Sequence, residues 1–296
     1  MAYLFLFLCV LFSSGQLMTN KLYQMRQRLT IPSYMLYLIV ISVVSTPLYF
    51  LMSRCDTTVD LKLFVYSFVY AAVVVIHALL SLLGMSYVNI AVVTIVLNAG
   101  SLFIPAIYGF LFLHEPMTFS SILSILLVMF AFIITFFEEH PTGSSPKGAR
   151  AKLLYVLLFI VAGIGNVIAK AFTLSGSRAS NEAFLTWVNI FMAIMMVIAF
   201  LFAQLKSKKS LKDFTLGIHA KNYLPVCLGS ISGCIASVCS MKAISQMNIA
   251  LYSPLSSAMQ MVLLLFISGV ILKEKVTMWN ICAAILGIIA VVCTVL

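Results

Sequence analysis

The sequence predicts an all-α integral membrane fold: ten transmembrane helices arranged as a 5+5 inverted-topology repeat. Three observations carry this. Of 296 residues, 63% are hydrophobic and only 9% charged, whereas a soluble domain has roughly 45–50% apolar and about 25% charged residues. Apolar runs of about 20 residues recur along the whole chain, the length a helix needs to cross a hydrocarbon core of roughly 30 Å. A polar linker divides the chain into halves that resemble each other in register.

The first span, residues 2–20, has no Lys or Arg ahead of its apolar stretch and no small-residue cleavage site behind it, so it reads as a helix and not a signal peptide. Spans at 33–52 and 64–83 follow, separated by a polar segment with Arg54, Asp56 and Asp60. Spans at 88–113 and 117–137 are divided only by His114-Glu115-Pro116, too short for anything but a tight reversal. Residues 141–152, rich in Pro, Gly and Ser, form a linker between residues 1–140 and 153–296. The second half repeats the pattern with spans at 153–174, 183–204, 223–241, 248–272 and 276–296. Helices satisfy their own backbone groups, as the bilayer core requires.

A net charge of +10 would suggest nucleic acid in a soluble protein, but here Lys and Arg cluster between spans, which marks membrane orientation and lipid contact. The odd-numbered connections hold 13 of them and the even-numbered five, which places the odd connections in the cytoplasm. The seven Cys lie mostly inside spans without C-x-x-C spacing, and read as small apolar packing residues. No metal site and no cofactor is implied.

Shifting the sequence by 159 residues lays Ser86–Phe137 on Ser245–Leu296 without a gap. Apolar coincidences are cheap between membrane helices. The polar matches are not: Ser86/Ser245, Asn89/Asn248, Glu115/Glu274, Thr118/Thr277 and Thr135/Thr294. With an odd number of spans per copy, the second copy enters the membrane in the opposite sense. Inverted repeats of this kind are characteristic of secondary transporters, whose halves rock about a shared central site.

The stretches FLFLHEPMTFSSILSILLVMFAFII (110–134) and ISGVILKEKVTMWNICAAILGIIAVV (267–292) resemble the helix–Glu–helix signature of EamA-type transporters of the drug/metabolite transporter superfamily. AGIGNVIAK (162–170) is similar to the family's opening-helix pattern, a Gly seven residues before a Lys, and SSGQLMTNK (13–21) is a weaker copy with Ser14 in the Gly position. Ser124, Ala131, Ala283 and Ala290 stand where the family usually has glycine. The resemblance implies ten helices, a central cavity, transport (usually export) of small organic molecules, and both termini in the cytoplasm, opposite to the charge count.

A polar side chain facing lipid is costly, so polar rows at helical spacing face a cavity or a neighbouring helix. Span 4 carries Thr94, Asn98, Ser101, Pro105 and Tyr108 on one face, and span 9 carries Tyr252, Ser253, Ser256, Ser257 and Gln260. The 159-residue shift maps Thr94, Asn98 and Ser101 onto Ser253, Ser257 and Gln260, so the two rows are expected to line a cavity between the halves. Span 3 adds Tyr70 and His77. His77 is either a proton carrier or a neutral imidazole bonded to a hydroxyl. Gln16, Asn166, Lys21 and Lys170 on spans 1 and 6 complete the set. The lysines either snorkel to headgroups or receive an anionic group of a substrate.

Gly229 and Gly233 on span 8 read as helix-packing residues, and Glu115 and Glu274 as caps on the helices that follow them, spans 5 and 10. Nucleophile, metal and phosphate fingerprints are absent in suitable context, so an enzyme is not expected. The sequence therefore reads as a secondary transporter of a small neutral, zwitterionic or weakly anionic metabolite. It is expected in the cell (cytoplasmic) membrane, multi-pass, as a monomer or homodimer in the lipid bilayer, with no nucleic-acid partner. The rival is a membrane scaffold that moves nothing.

Overall fold

The computed structural model describes residues 1–26, 31–56, 58–87, 90–116, 118–138, 149–207, 223–266 and 278–295. They form ten helices: α1 (Ala2–Arg26), α2 (Ile31–Met52), α3 (Leu61–Tyr87), α4 (Ile90–Phe112), α5 (Phe119–Glu138), α6 (Ala149–Leu174), α7 (Asn181–Ser207), α8 (Tyr223–Gln246), α9 (Ile249–Phe266) and α10 (Met278–Val295). Six of them, α1, α2, α3, α6, α7 and α8, are long and apolar enough to cross a membrane among the described residues, and shorter apolar stretches mark α4, α5 and α9. The helices match the ten expected spans to within a few residues at most ends.

The distribution of side chains is that of a protein solvated by lipid. Large apolar residues such as Phe7, Phe68, Phe130, Phe202 and Trp279 point outward, while Ser14, Ser42, Ser67, Ser124, Asn189, Ser230 and Lys170 are buried. Most of the buried hydroxyls bond back to a carbonyl one helical turn earlier, as Ser42, Ser67 and Ser230 do, which lets a serine sit in an apolar interior without an orphaned group.

Small residues decide which helices meet. A Cβ on Gly100 of α4 would lie 2.0 Å from the Phe159 carbonyl oxygen of α6, and one on Gly163 of α6 would lie 2.5 Å from the Gly100 carbonyl oxygen. These two backbones approach as closely as glycine permits. On α8, Gly233 receives the Gln16 side chain of α1, and Gly15 of α1 faces Ser232; Ser232 Oγ in turn donates to the Phe12 carbonyl at 2.7 Å. Ser124 of α5 donates to the Ala290 carbonyl of α10 at 2.9 Å. The main core, with Leu6, Leu63, Phe184, Met196, Ile244 and Leu255, draws on α1, α3, α7, α8 and α9. A smaller one, with Leu102, Val128, Ala258 and Ala290, joins α4, α5, α9 and α10.

The connections α2–α3, α4–α5, α6–α7 and α8–α9 gather at one end of the bundle. Ser177 Oγ donates to Asp60 Oδ2 at 2.8 Å, the Ser180 amide donates to Asp56 Oδ2 at 3.2 Å, and Lys62 Nζ donates to the Ser175 carbonyl at 2.6 Å. A Lys242–Glu182 ion pair at 2.9 Å ties α8 to α7 nearby. Asp56 is held at a pKa of about 2, chiefly by bonds from the Thr58 hydroxyl and amide and by the Ser180 amide; Asp60 is also lowered, first by the Leu63 amide that it caps.

Candidate functional site

Around α9 the structure assembles a group of neutral polar side chains within the apolar bundle. Tyr252 is buried, its hydroxyl 2.7 Å from Ser240 Oγ of α8 and 3.9 Å from Cys9 Sγ of α1. One and two turns along α9, Ser256 Oγ donates to the Ser253 carbonyl at 3.0 Å and Gln260 Nε2 reaches Ser13 Oγ of α1 at 3.5 Å. Tyr70 of α3 packs edge-on against Phe184, ring centroids 5.5 Å apart, and lies 3.9 Å from where a Cβ on Gly165 would stand. Tyr49 of α2 is buried against α8, where Cys234 Sγ donates to the Ser45 carbonyl of α2 at 3.9 Å. Helices α1, α2, α3, α8 and α9 thus each contribute a hydroxyl, thiol or amide.

Among the described residues three buried hydroxyls have no hydrogen-bond partner: Ser14 Oγ, Ser81 Oγ and Ser253 Oγ. An unmet hydroxyl away from water costs on the order of 1–3 kcal/mol. Such atoms mark places where the chain holds unspent hydrogen-bonding capacity.

Of the residues expected to line a cavity, Tyr252, Ser253, Ser256, Gln260 and Tyr70 fall in or beside this group, and Ser257, Ser101, Asn166 and His77 are half-buried. Gln16 is turned onto α8, its amide against Gly233. The side chains of Thr94, Asn98 and Lys21, and the whole of Glu274, lie outside the described residues. Gly229 is buried in α8.

Lys170 meets neither a headgroup nor an open space. Its ammonium donates to the Ile244 carbonyl at 3.0 Å and the Met247 carbonyl at 2.7 Å, and stands 4.0 Å from Glu115 Oε1. Its three donors are directed at the end of α8 and at one carboxylate. Glu115 does not cap α5 as expected from its place in the chain. It accepts the Ile249 and Ala250 amides, both at 3.0 Å, at the start of α9. His114, with φ of 50°, turns the chain at this point, and Gly109 leaves room for the carboxylate, since a Cβ there would lie 2.6 Å from Glu115 Oε2. The cap of α5 is Thr118, whose hydroxyl accepts the Ser121 amide at 3.2 Å. Threonine just ahead of an apolar run is an ordinary N-cap signal, and it recurs as Thr277 in the shifted copy.

Sequence reasoning missed Cys9, Ser13, Ser240 and Tyr49. In the sequence the cysteines read as packing residues, and only the Tyr252 hydroxyl, 3.9 Å away, gives Cys9 a polar role.

A cavity of about 380 Å³ opens between α1, α9 and α10, lined by Phe7, Val10, Met259, Val262, Leu263, Phe266, Ile288 and Val292. Its wall is entirely apolar, Phe7 and Phe266 are 51% and 60% exposed, and none of the expected cavity residues lines it. It is a lipid-side groove behind the polar face of α9. No group of three His, Cys, Asp or Glu side chains able to hold a metal occurs among the described residues.

Residues 150–296 match the family model of the EamA-like transporter family. No curated protein matches significantly. A solved structure described only as "Crystal structure of protein" superposes with a TM-score of 0.76 over 99% of this chain and 95% of that one, at 12% identity. At that identity the likeness speaks for the fold alone.

Proposed function

Because the chain belongs to the EamA-like transporter family of the drug/metabolite transporter superfamily, we propose that it is a secondary transporter that moves a small neutral, zwitterionic or weakly anionic metabolite by alternating access, most simply as an exporter in the cell membrane. In this reading residues 1–140 and 153–296 are two five-helix copies of opposite topology. The α4 row (Thr94, Asn98, Ser101) and the α9 row (Ser253, Ser256, Ser257, Gln260) face each other across the site, with Tyr70, His77, Asn166 and Tyr252 around them.

The observation that carries the substrate class is the commitment of Lys170. Among the described side chains it is the one cation deep in the bundle, and its donors are taken by two carbonyls and Glu115. What remains for a ligand is hydroxyl, amide, thiol and imidazole, including the unmet Ser253 and Ser14. Burying a cationic substrate there without a counter-charge would cost several kcal/mol. A neutral or zwitterionic solute that brings its own donors and acceptors loses little.

Purified protein reconstituted in liposomes tests this. Saturable flux of an amino acid or nucleobase-like compound is expected, together with thermal stabilisation by the same compound, since a ligand that binds the folded state raises apparent stability by mass action. Saturable transport of a quaternary ammonium dye would overturn the substrate class. Absence of any flux or stabilisation across a metabolite library would favour the scaffold reading.

A further inference from the structure

We propose that Glu115 and Lys170 form the latch that shuts one end of the bundle, so that solute reaches the interior from that side only when both release the α8–α9 turn. The inference rests on the alternating-access reading and adds a mechanism for one of its two closures.

The α8–α9 turn is the shortest of the described connections, with only Met247 and Asn248 between the helices. Its two flanks carry opposite partial charges: unpaired carbonyls at the end of α8 and unpaired amides at the start of α9. Lys170 of α6 takes the carbonyls of Ile244 and Met247, while Glu115 of the α4–α5 connection takes the amides of Ile249 and Ala250. The two ions stand 4.0 Å apart with both side chains 8% exposed. One turn is therefore held from both sides by two other parts of the chain, through four charge-assisted bonds.

This chemistry suits a closure that must also open. An apolar plug resists wetting, but a carboxylate and an ammonium regain hydration when the end parts, which offsets much of what the contacts gave. Release would uncover what lies beneath. Tyr252, Ser240 and Cys9 sit within about two turns of the latch, and the α9 row begins there. The neighbouring contacts at the same end are on exposed or half-buried groups, such as Lys242–Glu182 with the lysine 40% exposed, and exposed pairs contribute little. The buried pair is the one whose loss shifts the balance.

Native cysteines report the state of this end without any flux measurement, so this proposal and the transporter reading fail separately. Cys55 is exposed on the α2–α3 connection at the latch end, whereas Cys9 and Cys239 are buried beneath the latch. In sealed vesicles treated with a membrane-impermeant maleimide, with labelled sites read by peptide mass spectrometry, Glu115→Gln and Lys170→Met are expected to raise labelling of Cys9 and Cys239 relative to Cys55 about tenfold, the population change that about 1.4 kcal/mol produces. Glu115→Asp, which keeps the charge, is expected to recover part of the protection. Unchanged labelling ratios in both variants would overturn the latch.

Discussion

Gly100→Ala is the sharpest test of the packing. The new Cβ would lie 2.0 Å from the Phe159 carbonyl oxygen and 2.8 Å from its carbonyl carbon, some 1.4 Å short of ordinary contact with the oxygen. The obstacle is backbone in the middle of α6, which cannot turn aside as a side-chain end can, so α4 and α6 must separate along the seam. Overpacking into a well-packed interior costs typically 1–3 kcal/mol; with two rigid helices pushed apart, about 3 kcal/mol is expected here. The loss includes contacts of Ile104, which packs against Gly163 in the same seam, because even a gap of 0.5–1 Å forfeits a quarter to a half of a dispersion contact. Gly15→Ala, which meets only the end of the Ser232 side chain at 3.1 Å, is expected to cost under about 1 kcal/mol. Unfolding of both variants in the same detergent, followed by thermal scan and by reversible denaturation, gives the comparison. Equal stabilities for Gly100→Ala and Gly15→Ala would refute the close approach of α4 and α6.

Asn98→Leu and Gln260→Leu are each expected to abolish flux while the protein still inserts and accumulates, since each removes hydrogen-bonding groups from a proposed cavity row at similar volume; full flux in both, measured in liposomes, would make the rows helix-packing contacts. His77→Gln is expected to remove any dependence of flux on a pH gradient and to leave downhill flux measurable, with gradient-driven transport in the variant excluding His77 as the proton carrier. The contacts of Asp56 have a pH signature. Because its folded pKa is depressed from 3.8 to about 2, the contribution of its bonds to Thr58 and Ser180 is fully present above pH 4 and is lost as pH falls toward 2. Proteolysis of the α2–α3 connection is therefore expected to be unchanged from pH 8 to 5 and to rise only below about pH 4; a midpoint near neutrality would contradict the assignment.

Hydropathy and turn chemistry reveal the helices because a bilayer imposes one length and one composition on every span, and so α1 to α10 stand close to where the apolar runs put them. What they touch is another matter. Glu115 precedes α5 by four residues, and local reasoning assigns it to that helix. Its partner is 134 residues away at Ile249, and Thr118, nearer in sequence, does the local capping. Lys170 misleads for the same reason: a lysine near a helix end is expected at the headgroups, and only the arrival of α8 supplies carbonyls to hold it inside. The polar row on α9 was legible because a row of serines has no business in lipid. Cys9 was not, because a thiol is equally at home in a core, and its contact with Tyr252 depends on how α1 lies across α8 and α9.

The cap on α9 also bears on how the chain is made. Ile249 and Ala250 present bare amides until a carboxylate from the first half reaches them, and that carboxylate has been synthesised 134 residues earlier. During synthesis the first half is already in the bilayer when α9 emerges, so the helix start can be met as it inserts. A second half expressed alone would leave those amides without the carboxylate that accepts them in the folded chain. Co-expressing the two halves as separate chains is therefore expected to rescue accumulation of the second half only when the first half carries Glu115, and equal accumulation with Glu115→Ala would show that the cap matters only in the finished protein.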